Sequence, residues 1–283
     1  MTILTATHPE TIRQVLRRSF RLYRRVFFHV FLLSVLLSIT VFIPRILTLI
    51  IGENIFLNMP ILDPHRLWLS LITVVIFLFF GAILWRVYCF TRQAHDSLRD
   101  DMNIAFHKIF YIFIAAVLQS FLFAIVIYFV GVIVFNIVLY PHFHFNSLSN
   151  TEITLLTLLF IFQCCLITYI LFATYFYLPT IVIENKGIIS SFAKSVTLVW
   201  GNWWRTFITQ MTPWLFYVLM LMIVRDFFKI NVQIYFVESA DPPSLTITLI
   251  HILVFAIFVP FVATTAIVQL RDLELRKKLG KNI

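Results

Sequence analysis

The sequence predicts an all-α polytopic membrane protein: six transmembrane helices with three amphipathic interfacial helices on the cytoplasmic side. Three observations carry that expectation. Mean hydropathy is +0.95, with 61% hydrophobic and only 12% charged residues along 283 positions. A water-soluble domain must clothe its core in polar surface, so this balance fits a chain whose outside faces lipid. Runs such as VVIFLFFGAIL (74–84) and LLTLLFIF (155–162) belong to segments that reach the roughly 20 apolar residues a helix needs to cross about 30 Å of hydrocarbon. The runs also lack the polar–apolar alternation of membrane-barrel strands.

The elements follow in chain order. Pro9 and Glu10 suit the first turn of a helix, where a missing N–H is tolerated and a carboxylate favours the positive dipole end. Beyond them Ile12, Val15, Leu16, Ser19, Leu22, Tyr23 and Val26 recur every three or four residues on one face. Arg13, Arg17, Arg18, Arg21, Arg24 and Arg25 gather on the other, as in a basic helix lying in the interface. Spans are expected at 26–51, 67–90, 108–140, 153–183, 206–224 and 245–270. The first is too long for the apolar core of a signal peptide and has no A-x-A site after it. Spans three and four exceed a simple crossing and should tilt or project. Pro44, Pro179, Pro213 and Pro260 fall within spans, where each deletes a backbone donor and can kink its helix.

Lys and Arg counts set the orientation. Eighteen of the 22 fall in the N-terminal segment, the second and fourth connections and the tail, and four on the opposite side. Both termini are therefore expected in the cytoplasm. The net charge of +9 suits an anionic inner leaflet and needs no nucleic acid to explain it.

A second mixed segment, ENKGIISSFAKSVTLVWGNWWR (184–205), precedes span five. Ile188, Phe192, Val196, Val199 and Trp203 form its expected apolar stripe, with Ser190, Lys194, Thr197 and Gly201 away from it. At an offset of 176, RSFRLYRRVFF (18–28) aligns with KSVTLVWGNWW (194–204), pairing Arg18 with Lys194, Ser19 with Ser195 and Leu22 with Leu198. A weaker version, Leu98, Met102, Ala105 and Ile109, precedes span three. The chain thus reads as a single membrane domain, 1–283, of three units at 8–92, 93–184 and 185–275. Each unit would be a surface helix plus a transmembrane hairpin, arranged in a pseudo-threefold repeat.

The stretch LPTIVIENKGIISSFAKSVTLVWGNWWR (178–205) resembles the signature of the bacterial YciC-like inner-membrane proteins. These are similar in turn to the membrane domain fused to some glycerophosphodiester phosphodiesterases. The resemblance rests on Pro179, Glu184, Gly187, the helix with Ser195 and Leu198, and the end at Trp203, Trp204 and Arg205. It implies a six-span inner-membrane protein of bacterial type, and no phosphodiesterase catalytic domain accompanies it here.

Chemistry-bearing motifs are sparse. His142 and His144 flank Phe143, with Glu152 the nearby carboxylate, too few ligands for a metal. Cys89, Cys164 and Cys165 lie in or beside spans, as buried small hydrophobes, so no disulfide framework is expected. Gln163, Gln210 and His251 are candidates for an intramembrane polar path, while no Asp or Glu falls mid-span. There is no Walker A loop, no G-x-S-x-G and no H-E-x-x-H. The expectation is a non-enzymatic protein without a cofactor or bound metal. It would bind or organise anionic lipid, or dock a membrane or cytoplasmic protein partner, through Arg13, Arg17, Arg18, Arg21, Arg24, Arg25, Lys194, Trp200, Trp203, Trp204 and Arg205. The alternative is a transporter or channel for a lipid or small hydrophobic molecule.

Overall fold

In a computed structural model, residues 8–51, 64–94, 97–134, 150–229 and 244–280 are described, and all of their regular structure is helical. The helices are α1 (Ile12–Ile51), α2 (Pro64–Arg92), α3 (Leu98–Val134), α4 (Asn150–Thr174), α5 (Tyr177–Glu184), α6 (Ile188–Val199), α7 (Trp203–Phe228) and α8 (Leu245–Gly280). Six segments are long and apolar enough to cross a membrane, with α4 and α5 together making the fourth. Consecutive long helices pack as α1–α2, α2–α3, α3–α4 and α7–α8. The most extensive contact joins α1 to α8, at the two ends of the chain.

Two of the three expected surface helices are continuous with their spans. From Ile12 to Ile51 no glycine interrupts α1, and its one proline, Pro44, lies near the far end. With nothing to break it, the basic segment extends the span into one helix of 40 residues, about 60 Å at 1.5 Å per residue. That is twice the roughly 30 Å of a hydrocarbon core. The segment's apolar face is covered by protein: Val15, Ser19, Leu22 and Val26 are buried. The hydroxyl of Tyr23 donates to the carbonyl of Ile257 in α8, and its ring packs on Phe261. Likewise α3 runs unbroken from Leu98 through the third span.

Only the third segment forms a separate helix. Gly201 takes φ +79°, a left-handed conformation that suits glycine, and the chain turns there between α6 and α7. The buried face of α6 is Ser191, Phe192, Ser195, Leu198 and Val199, rotated from the expected stripe. Ser195 turns inward where the fourth span is broken beside it, and Ser191, also buried, donates to the carbonyl of Lys186 at 3.5 Å. The chain leaves α4 at Thr174 and restarts as α5 at Tyr177. Pro179 falls in the first turn of α5, where its absent N–H breaks no intrahelical bond. The Ser195 hydroxyl, on α6, donates to the carbonyl of Ala173 at 2.8 Å and accepts from the N–H of Phe176 at 3.0 Å. One side chain thereby satisfies a donor and an acceptor that the break releases inside the bundle. At the other end of α5, Asn185 adopts a left-handed conformation with φ 55°. Lys108 of α3 donates to the carbonyls of Ile181 at 3.2 Å and Val182 at 2.7 Å, a cation on the negative end of the helix.

The core lies where α1, α2, α5 and α8 meet, around Leu22, Leu33, Ile83, Ile181 and Phe258. By contrast α4 is exposed along most of its length, as expected of a helix facing lipid, with Phe160, Ile161 and Phe162 each more than half accessible. Cys164 and Cys165 are on that exposed surface, against the expectation of buried thiols, and only Cys89 is buried. The His142–Phe143–His144 motif lies outside the described residues.

Ser195→Ala should leave the Phe176 N–H and the Ala173 carbonyl unsatisfied and cost about 1–3 kcal/mol. Ala193→Ser, on the exposed face of α6, should be close to neutral. Thermal unfolding in mild detergent compares the two; equal melting temperatures would show that the break needs no staple.

Candidate functional site: the charged cap

At the end of the bundle where α1 begins and α8 ends, these two helices overhang the apolar spans and meet the start of α7. Asp272, fully buried, is the centre of this cap. Its carboxylate accepts from the backbone N–H of Glu10 at 2.7 Å, from Arg205 Nε at 3.0 Å and from Arg276 Nε at 3.1 Å. Arg205 and Arg276 each give a second donor to the carbonyl of Glu10. The Glu10 side chain pairs with Arg18. Burying a carboxylate is costly unless its lone pairs are filled, and here three donors from α7, α8 and the N-terminal segment fill them.

A second cluster is built on Lys194 of α6, which bridges Glu184 at the end of α5 and Glu274 of α8. Lys186 adds a contact to Glu184 at 3.3 Å, and Arg271 one to Glu274 at 3.4 Å. Burial pulls the pKa of Lys194 down, but its hydrogen bonds and charge contacts with the two carboxylates outweigh that and hold it above the ordinary lysine value. Between α2 and α3, Arg86 pairs with the buried Asp101.

This divides the expected contact residues into two sets. Arg18, Lys194 and Arg205 are half-buried and engaged with carboxylates of the chain itself. Trp203 is packed, stacking on Tyr169 and Phe207, with its indole N–H directed at the carbonyl of Tyr169 at 3.4 Å. Arg13, Arg17, Arg21, Arg24 and Arg25 are exposed and form no ion pair among the described residues. Trp200 and Trp204 are exposed as well, at 72% and 70%. They lie at the same end as the arginines, since neighbouring Arg205 reaches Glu10.

Sequence reasoning missed the acidic members. Glu10, Glu184, Asp272 and Glu274 each stand within a few residues of arginine or lysine near a helix end. The run RDLELR (271–276) places Arg276 one turn from Asp272, a spacing at which side chains on a helix meet. That spacing was the available signal.

The three candidates for a polar path are not brought together. Gln210 donates to Gln269 at 2.5 Å, in the buried interface of α7 and α8 below the cap. His251 is buried 18 residues earlier on α8, about 27 Å along the axis, and its Nδ1 bonds the carbonyl of Ile247 at 2.8 Å. Gln163 is half-buried on α4, which packs chiefly on α3, α6 and α7. Among the described residues no three His, Cys, Asp or Glu side chains converge on a common metal position.

A family profile described as "Domain of unknown function (DUF7847)" matches residues 67–273. The chain belongs to the DUF7847 family. No curated protein and no solved structure matches it. The DUF7847 span runs from α2 into the cap and contains both Arg205 and Asp272, whereas Glu10 and Arg18 precede it. The Arg205–Asp272 pair of the buried cluster therefore lies within the DUF7847 unit, with Arg276 three residues beyond its end, and α1 closes onto it.

Asp272→Ala should be strongly destabilising, by about 3–5 kcal/mol, because Arg205 would remain buried without its counter-charge. Arg276→Ala, at a partly exposed position, should cost about 1 kcal/mol. Denaturation in mild detergent would rank the two; equal losses would show that Asp272 is no hub.

Proposed function

We propose that the chain is a non-enzymatic, multi-pass protein of a bacterial-type inner membrane, with both termini in the cytoplasm. In this role it binds and organises anionic lipid and presents the same surface to a membrane or cytoplasmic protein partner. The observation that carries the reading is the row Arg13, Arg17, Arg21, Arg24 and Arg25, exposed on α1 with no ion pair among the described residues while the opposite face of the helix is held by α8. A basic residue near an anionic surface contributes about 1 kcal/mol. Trp200 and Trp204 add exposed indoles of the kind enriched at headgroup depth.

The likeness to the YciC-like proteins belongs to this proposal, as does the threefold repeat of a helical entry plus a hairpin. Support for the repeat comes from equivalent roles at aligned positions. Ser19 and Ser195 are both buried, as are Leu22 and Leu198. Arg18 and Lys194 each pair with a carboxylate earlier in the chain, Glu10 and Glu184. A transport reading has less support, because Gln163, Gln210 and His251 occupy separate places in the bundle.

Arg17→Glu combined with Arg21→Glu tests the lipid reading. For the unmodified chain, phosphatidylglycerol in mixed micelles should raise the melting temperature more than phosphatidylcholine does. In the double variant that difference should shrink or reverse, and an unchanged difference would sink the reading.

A further inference from the structure

Two cavities lie end to end along α8. The one at the cap has a volume of about 330 Å³ and is lined by Arg18, Tyr88, Arg92, Glu184, Arg271 and Glu274. The other, about 300 Å³, is further into the apolar part of the bundle, with Phe80, Tyr177, Trp214, Phe258, Val262 and Gln119 in its wall. They adjoin: Ala266 lines the apolar cavity and Ile267 the polar one. On α5, Pro179 lines the apolar cavity and Ile183 the cap cavity, about one turn apart.

The apolar cavity suits hydrocarbon. Gln119, on its wall, already donates to the Thr174 hydroxyl at 2.9 Å, which leaves little to hold water. An empty apolar space of this size would forfeit dispersion contacts along its whole wall. Its rim residues Leu171 and Trp214 are exposed while Phe258 and Tyr177 are buried, so it opens at the bundle surface, where acyl chains are at hand.

The cap cavity suits an anion. Its wall carries three cations, Arg18, Arg92 and Arg271, and two carboxylates, Glu184 and Glu274, whose further ion-pair partners are Lys186, Lys194 and, for Arg18, Glu10. The balance is positive, and the exposed guanidinium of Arg92 is held over the ring of Tyr88, 4.7 Å from its centroid, rather than by a carboxylate. Arginine presents paired N–H donors that match a phosphate. From Phe255 to Glu274 the two cavities accompany 20 residues of α8, a rise of about 28 Å. One leaflet with its headgroups is about 20–22 Å deep, half the thickness of a bilayer.

We infer that the two cavities form one site for a single anionic phospholipid of the surrounding bilayer. Its phosphate is held at Arg92 and Arg271, and part of one acyl chain fills the space beside Phe258 and Trp214. This goes beyond contact of lipid with the exposed arginines of α1 and does not rest on it, since the site is a pair of adjoining cavities along α8 that takes one molecule.

Native mass spectrometry of the full chain in detergent, titrated with phosphatidylglycerol or phosphatidylcholine, tests it. One molecule of phosphatidylglycerol should bind before any weaker ones. Arg92→Gln with Arg271→Gln should weaken that first event by about thirtyfold, from two lost basic contacts, and leave phosphatidylcholine binding unchanged. Ile76→Trp, placed in the apolar cavity at a half-buried position, should weaken both lipids. Arg225→Gln, paired with Asp226 at the other end of α7, should alter neither. Each variant's melting temperature without lipid shows whether it folds. Should Ile76→Trp fail to fold, a brominated-chain phosphatidylglycerol replaces it by quenching the Trp214 emission, defined as the signal lost in Trp214→Phe. Quenching that saturates at one lipid per chain supports the site. Binding without a first-molecule plateau, or headgroup preference retained in the double arginine variant, overturns it.

Discussion

The architecture depends on one buried carboxylate. Asp272 joins three segments that are remote in sequence: the residues before α1, the first turn of α7 and the overhanging end of α8. Inside a bilayer, apolar side chains gain nothing from leaving lipid for protein, so packing alone sets helix positions loosely. A carboxylate with Arg205 and Arg276 fixed on it selects one arrangement, because any other strands a buried charge. The extensive α1–α8 contact follows. Once Glu10 is tied to Asp272, α1 and α8 run side by side from the cap inward, and Leu22, Val26 and Phe258 are buried in the shared core.

The same reasoning explains why the fourth span is broken. A helix continuing straight from α4 would carry Glu184 along its own axis; the break at Tyr175 and Phe176 instead lets α5 pack against α2 and α3. There Lys108 meets its last carbonyls and Glu184 meets Lys194. Ser195 makes the break tolerable by supplying a donor and an acceptor in a place where water is scarce. Lys194 and Ser195 are adjacent, so one turn of α6 both seals the break and holds the end of α5.

Six membrane-length helices were legible because long apolar runs have few other stable outcomes. The starts of α1 and α3 were not. An amphipathic stretch shows that one face is apolar, but not whether lipid or protein covers it, nor whether the helix stops before the span. Between Arg25 and Val26 nothing in the chain breaks a helix, whereas Gly201 does so before α7; that local difference was readable and decisive. The buried carboxylates were harder to foresee. Glu10 looked like an ordinary first-turn acid, and its backbone partnership with Asp272 spans 262 positions. The expected polar path failed for a related reason: Gln210 and His251 are both buried, yet each finds a partner nearby, Gln269 for one and the Ile247 carbonyl for the other.

Separating paired from unpaired cations changes how the basic end is understood. Charge counting treats six arginines of α1 alike, yet Arg18 alone faces the bundle and takes Glu10. At 100° per residue Arg18 lies between the buried line of Val15, Ser19 and Leu22 and the exposed line of Arg17, Arg21 and Arg24. Its neighbours cannot reach the cap without turning the helix, which the α8 contact forbids. Their charge therefore remains available at the surface, at the level where Trp200 and Trp204 also project. The charged cap thus does two things at once: it consumes the cations that face inward and fixes the rotation of α1 so that the others face out.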